Sequence, residues 1–170
     1  MRFECKNPDG QCNLQCSGIH ACEGIDVKEN KLSIGCQGKS SCQKLQAQCK
    51  IDQDCQLNCQ GQDTCKEVKT NGIWNTDCQG NAVCGNIVLN EHVGTVACTG
   101  MNSCLNLKAK CSSGKSCSIN CMGLNTCQGK SLQGNWQNTG FQLWNTPVTF
   151  GHPSTRFTGV GQFGYMGYGR

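Results

Sequence analysis

The reactive chemistry of this chain is concentrated in sulfur. Eighteen of its 170 residues are cysteine, and a thiol can be oxidised to a disulfide or, as thiolate, hold a soft metal. The spacing separates these uses. The cysteines fall into consecutive pairs: Cys5 with Cys12, Cys16 with Cys22, Cys36 with Cys42, Cys49 with Cys55, and Cys59 with Cys65. Cys78 with Cys84, Cys98 with Cys104, Cys111 with Cys117 and Cys121 with Cys127 complete the set. Partners stand six residues apart, seven in the first pair. Structural zinc sites favour C-x-x-C knuckles, often completed by histidine. No C-x-x-C occurs here, and His20, His92 and His152 are scattered. The expectation is oxidised sulfur, with no metal and no cofactor.

Six pairs share the motif C-x-G-x-x-x-C: CSGIHAC, CQGKSSC, CQGQDTC, CQGNAVC, CTGMNSC and CMGLNTC, beginning at 16, 36, 59, 78, 98 and 121. Six extended residues would span roughly 20 Å, whereas a disulfide holds its Cα atoms about 4.4–6.8 Å apart. The intervening residues must double back, and glycine at the third position supplies backbone angles for such a corner. Bonding within each pair is the expectation. Bonding between equivalent cysteines on stacked coils, about 4.8 Å apart, remains geometrically open.

The elements that position these corners show in the periodicity. The motif recurs about every 20 residues, too short for a propeller blade and long enough for one turn of a β-helix. A shift of 62 superimposes every cysteine from Cys16 to Cys65 on one from Cys78 to Cys127, and Gly72 and Trp74 on Gly134 and Trp136. Within each coil apolar residues alternate with polar ones, as in Leu32, Ile34, Cys36 and in Leu107, Ala109, Cys111. Alternation over short runs marks strands with one buried face, and no segment carries a helical apolar stripe. The fold class expected is all-β: a disulfide-stapled β-helix or solenoid of about six coils over residues 1–135. A three-coil block at 16–77 is duplicated as 78–139. Only Phe3 and Trp74 supply aromatic bulk before residue 136, so each coil has a thin core and leans on crosslinks.

Residues 136–170 form a different segment, expected to be an extended tail rich in glycine and aromatics. It has no cysteine and holds eight of the ten aromatics. Phe141, Trp144, Phe150, Phe157, Phe163, Tyr165 and Tyr168 are the residues expected to dock on partners, as aromatic anchors do at interfaces. Charge divides along the chain as well. All eleven acids lie at or before Glu91, while Lys108, Lys110, Lys115, Lys130, Arg156 and Arg170 follow it unopposed. A basic end suits acidic subunits or proximity to a membrane surface. No arginine-rich run points to direct nucleic-acid binding, and no apolar run is long enough for a transmembrane segment.

Catalysis is not expected. A β-helix enzyme on polysaccharides would need clustered carboxylates. The candidates Asp26, Asp52, Asp54 and Asp63 include three whose positions in the second block are taken by Val88, Gly114 and Ser116. Ice binding would call for an outward threonine ladder, whereas the outward residues are mainly Gln, Asn, Lys and Asp. The N-terminus reads MRFECKNPDGQC with no apolar stretch of signal-peptide type, and sixteen asparagines include no N-x-[ST] sequon. Two explanations follow: a mature domain cut from a precursor, or a native start with disulfides made outside the secretory route.

At the level of fold, the C-x-G-x-x-x-C coils resemble cysteine-rich β-solenoids found among structural and surface proteins. Thiols oxidised outside the secretory route and a long docking tail are together similar to small minor capsid or cement proteins of nucleocytoplasmic large DNA viruses. That resemblance implies a non-enzymatic virion component whose partners are other capsid subunits. The alternative is a secreted or surface repeat module, extracellular, that binds a protein or glycan.

Overall fold

The computed structural model describes residues 2–3, 11–50 and 54–139, and among them there are strands, turns and bends but no helix. After β1 (Arg2–Phe3), the first complete coil comprises β2 (Cys12–Ser17), a motif corner and β3 (Asp26–Glu29). The second has β4 (Leu32–Gln37) and β5 (Gln46–Cys49), and the third opens with β6 (Cys55–Gln62). β7 (Lys69–Asn81) closes the third coil and opens the fourth in one continuous run, followed by β8 (Val88–Val93). β9 (Thr95–Thr99) and β10 (Lys108–Cys111) form the fifth coil, β11 (Cys117–Met122) and β12 (Ser131–Gln133) the sixth, and β13 (Trp136–Asn138) comes last.

Every strand pairing is parallel and joins one coil to the next. Sheet A stacks β1, β3, β5, the start of β7, β8, β10 and β12. Sheet B stacks β2, β4, β6, the rest of β7, β9, β11 and β13. This is the all-β solenoid of about six coils that the cysteine spacing implied. Parallel sheets are ordinarily covered on both faces, yet here most strands alternate, as in β2, where Cys12, Leu14 and Cys16 are buried and their neighbours exposed; in β4 Gly35 is buried as well. One face of each sheet lines the interior and the other meets water.

The interior is a set of rows, one residue per coil. Leu14, Ile34, Leu57, Thr76, Val96 and Ile119 stack in register in sheet B. Val27, Ala47, Thr70, Leu89 and Ala109 do so in sheet A. All of these are buried. Trp74 is the one large residue of the core, fully buried, and its indole N–H donates to the Asn71 carbonyl at 3.0 Å. Trp136, which composition groups with the tail, stands in β13 and pairs with Cys117 of β11. The ladder therefore runs through Asn138.

Candidate functional site, a sulfur spine and two unlike outer faces

At the end of each of the sheet B strands β2, β4, β6, β7, β9 and β11 the chain enters a motif corner. Bridges Cys16–Cys22, Cys36–Cys42, Cys59–Cys65, Cys78–Cys84, Cys98–Cys104 and Cys121–Cys127 close these corners with Cα separations of 5.7–6.1 Å. Cys49–Cys55 and Cys111–Cys117, at 6.3 and 5.9 Å, close two of the opposite corners. All eight join sequence neighbours, which decides against bonding between coils at these positions. Cys12 is disulfide-bonded too; Cys5, its expected partner, lies outside the described residues. No described cysteine is free.

Because Cys16, Cys36, Cys59, Cys78, Cys98 and Cys121 stack in register, the six motif bridges form a buried spine of sulfur. Its spacing is tight: the Sγ atoms of Cys36, Cys59 and Cys65 lie within 4.8 Å of one another, as do those of Cys59, Cys78 and Cys84, and of Cys78, Cys98 and Cys104. Each trio is one bridge plus a sulfur of the bridge below. A metal is held by thiolate, and these sulfurs are oxidised, so the trios are packing contacts.

The corners differ from the sequence expectation in one respect. Glycine at the third motif position does adopt positive φ, for example 132° at Gly80 and 117° at Gly100. So do the fifth and seventh motif positions and the second residue beyond: Ala82, Cys84 and Asn86 have φ of 54°, 56° and 56°, and Asn102, Cys104 and Asn106 repeat this. Alternate residues are thus left-handed. This arrangement survives because each corner is bonded to the next. In the second corner Gly38, Ser40 and Lys44 donate backbone N–H to Gln60, Gln62 and Lys66 of the following coil, while Cys42 donates back to Ala21. The excess of Asn, Asp and Gly at these positions, tolerant of the left-handed region, was the available signal. Asn106 and Asn125 add side-chain ladders by donating to the Asn86 and Asn102 amide oxygens at 3.1 and 3.2 Å.

The outer faces are chemically unlike. Sheet B presents Asn13, Gln15, Gln56, Asn58, Gln60, Asn75, Gln79, Thr95 and Thr99, all exposed, with Asp77 its one charged residue, accepting from Gln79 at 2.8 Å. Hydroxyls meet across coils at Thr95 and Ser118, 2.9 Å apart. Sheet A presents Lys28, Lys69, Lys108 and Lys110 together with Asp26 and, in β8, Glu91, all exposed. An exposed apolar cluster interrupts the last two motif corners: Met101, Met122 and Leu124 are 46%, 46% and 60% exposed.

The candidate acids are not gathered. Asp26 lies on the outer face of sheet A, Asp54 precedes β6 at the opposite corner, and Asp63 sits in a motif corner, paired with Lys66 at 2.6 Å; Asp52 lies outside the described residues. His20 is exposed beside Glu23 at 3.2 Å. The expected docking residues Phe141, Trp144, Phe150, Phe157, Phe163, Tyr165 and Tyr168 also lie outside the described residues. Among the described residues no helix is long and apolar enough to cross a membrane.

Fold and corners together define a class: a cysteine-rich, disulfide-stapled β-solenoid of two parallel sheets. Neither family models, nor curated proteins, nor solved structures yield a match to this chain.

Proposed function

We propose that the protein is a non-enzymatic structural part of a large assembly, a rigid spacer whose tail docks on neighbouring subunits. The observation that supports this is the one-per-coil motif bridge, repeated from Cys16–Cys22 to Cys121–Cys127. Crosslinks repeated at every turn, on top of backbone bonds that continue through each corner, favour stiffness over the loop mobility that binding and turnover usually draw on. Within that reading, the similarity to minor capsid or cement proteins of large DNA viruses makes the capsid the assembly proposed. The test is abundance and incorporation. Particles purified from the source should contain the chain at fixed stoichiometry, and a form ending at Thr139 should keep its bridges yet fail to incorporate. A chain absent from particles, or incorporated equally well without its tail, would overturn the reading.

One observation favours a second reading. The outer face of sheet B is an array of exposed amides and hydroxyls nearly devoid of charge, which suits hydrogen bonding to the hydroxyls of a glycan on a surface or secreted module. Binding to a panel of polysaccharides, lost on Gln56→Ala with Asn75→Ala, would support it over the capsid reading.

A further inference from the structure

The two blocks diverge chemically at one corner. As far as Glu67, the third motif corner carries Gln60, Gln62, Asp63 and Glu67; 62 positions on, the sixth carries Met122, Leu124, Asn125 and Gly129. Lys39 of the second corner is likewise matched by Met101 of the fifth. The backbone is the same in both places. Gly61 and Gly123 turn at φ 131° and 132°, and Thr64 and Thr126 donate to the Gly38 and Gly100 carbonyls at 2.6 Å. On one frame, apolar side chains stand where the first block has amide and charge.

These side chains form one patch. Gly100 and Asn102 donate backbone N–H to the Met122 and Leu124 carbonyls, both at 2.9 Å, so Met101 lies alongside Met122 and Leu124 on the neighbouring coil. All three are exposed. A single exposed apolar residue, such as Ile19 on the first corner, is ordinary; three side by side mark a contact. Around them the charge has one sign. Residues 78–139 hold Lys108, Lys110, Lys115 and Lys130 against Glu91 alone, whereas 16–77 mix lysines and acids in near-equal number. Lys108 and Lys110 leave the fifth corner exposed on β10, where the second coil has Gln46 and Gln48, and Lys130 leaves the sixth half-buried. Lys115 stands at the opposite corner and takes no part.

Size and shape select the occupant. The three side chains expose on the order of a few hundred Å², short of the roughly 800 Å² per partner that a stable protein pair buries. They project from the outside of a turn, which offers a peptide no groove. A lipid surface needs neither a large area nor a matching shape: apolar side chains enter its interfacial layer and lysines meet its headgroups. The Cys121–Cys127 bridge and the Asn125–Asn102 bond already fix the corner, so little freedom is lost on contact.

We propose that the fifth and sixth motif corners are a membrane-contact edge. Met101, Met122 and Leu124 enter an anionic lipid surface, and Lys108, Lys110 and Lys130 lie against its headgroups. The contact is peripheral and holds whether or not the chain is a capsid part.

The test is flotation of the oxidised full chain with vesicles of phosphatidylcholine and phosphatidylserine in equal parts, and with phosphatidylcholine alone. Met122→Gln with Leu124→Gln gives the sixth corner the side chains of the third, so the bridges should persist on peptide mapping. Affinity for the mixed vesicles should fall about tenfold or more. Lys108→Gln with Lys110→Gln gives β10 the side chains of β5 and should cost about tenfold on the mixed vesicles only. Absence of flotation, or flotation untouched by the corner substitutions, as the tail's aromatics alone would give, overturns the proposal. Equal affinity for the two kinds of vesicle removes the lysines and overturns it as well. Self-association in sedimentation that is lost on Met122→Gln with Leu124→Gln would assign the edge to a second copy instead.

Discussion

Thr64 donates its hydroxyl hydrogen to the carbonyl oxygen of Gly38 in the coil below, at 2.6 Å. Thr126 repeats the bond to Gly100, also at 2.6 Å, and both partners are displaced by the 62-residue block length. The bond ties consecutive motif corners where the chain has no room for a strand. Thr64 is fully buried, so its loss leaves the Gly38 carbonyl short of a donor. Thr64→Val should lower unfolding free energy by about 1–2 kcal/mol under non-reducing conditions, with Thr64→Ser losing less. Denaturant titration of the oxidised proteins checks this; equal midpoints for Val and parent would remove the bond from the account.

Two other threonines should behave in the opposite sense. Thr70 and Thr76 are buried in the interior rows, and their hydroxyl oxygens have no hydrogen-bond partner. Neighbours in the same rows are Ala47, Leu89, Leu57 and Val96. Valine has the same shape without the polar atom to desolvate. Thr70→Val and Thr76→Val should each stabilise by about 1 kcal/mol, seen as a higher denaturation midpoint with the same slope.

From the second motif onward, glycine at the third position is required for a reason beyond its φ. A Cβ at Gly100 would strike the carbonyl oxygen of Gly80 in the coil below, and one at Gly80 would strike that of Gly61. Gly100→Ala combines that collision with a left-handed backbone and should cost at least about 1–3 kcal/mol. Gly114, also left-handed at φ 71°, has nothing within 4 Å of its would-be Cβ, so Gly114→Ala should cost less. Thermal unfolding of the pair separates crowding from conformation; equal losses would show that φ alone decides.

Individual bridges should be worth little each. A loop of about seven residues restricts the unfolded chain by roughly 2 kcal/mol in the chain-entropy model. Replacing Cys59 and Cys65 together by alanine should destabilise by about that amount and leave the remaining pairings intact on peptide mapping. Scrambled bridges in that variant would mean that the tight Cys36, Cys59 and Cys65 contact guides pairing as well as packing.

Lys130 gives a pH signature. Its folded pKa lies below the 10.5 of the unfolded chain because burial disfavours the ammonium. The unfolded state therefore binds more protons between those two values, and stability rises with pH across that window. Below both values the lysine is charged in both states and the cost is fully present. Lys130→Met should thus be more stable than the parent below that window, with the difference shrinking as pH rises through it towards 10.5 and level beyond it. A difference independent of pH would assign the effect to packing.

Much of this architecture is legible in the residues. Cysteine pairs six apart, with glycine between, require a corner, and Leu32, Ile34 and Cys36 declare the inward face through a period of two. What escaped is set by contacts between coils, which a local pattern does not report. The left-handed φ of Ala82 and Cys84 depends on hydrogen bonds to coils above and below, and neither residue type signals it. β7 runs unbroken through Gly72, where a turn residue within an alternating stretch reads as a break. Trp136 looks like its aromatic neighbours in composition; only the 62-residue correspondence to Trp74 marks it as the end of the ladder. The docking residues rest on composition alone, without the geometry that would rank them.

The partition of charge between the two broad sides has a mechanical corollary. Lys28, Lys69, Lys108 and Lys110 outnumber Asp26 and Glu91 on sheet A, whereas sheet B offers amides and hydroxyls with Asp77 its one charge. Laid on a polyanionic support, such a body settles with one flank down, and its roll about the long axis is fixed before any specific contact forms.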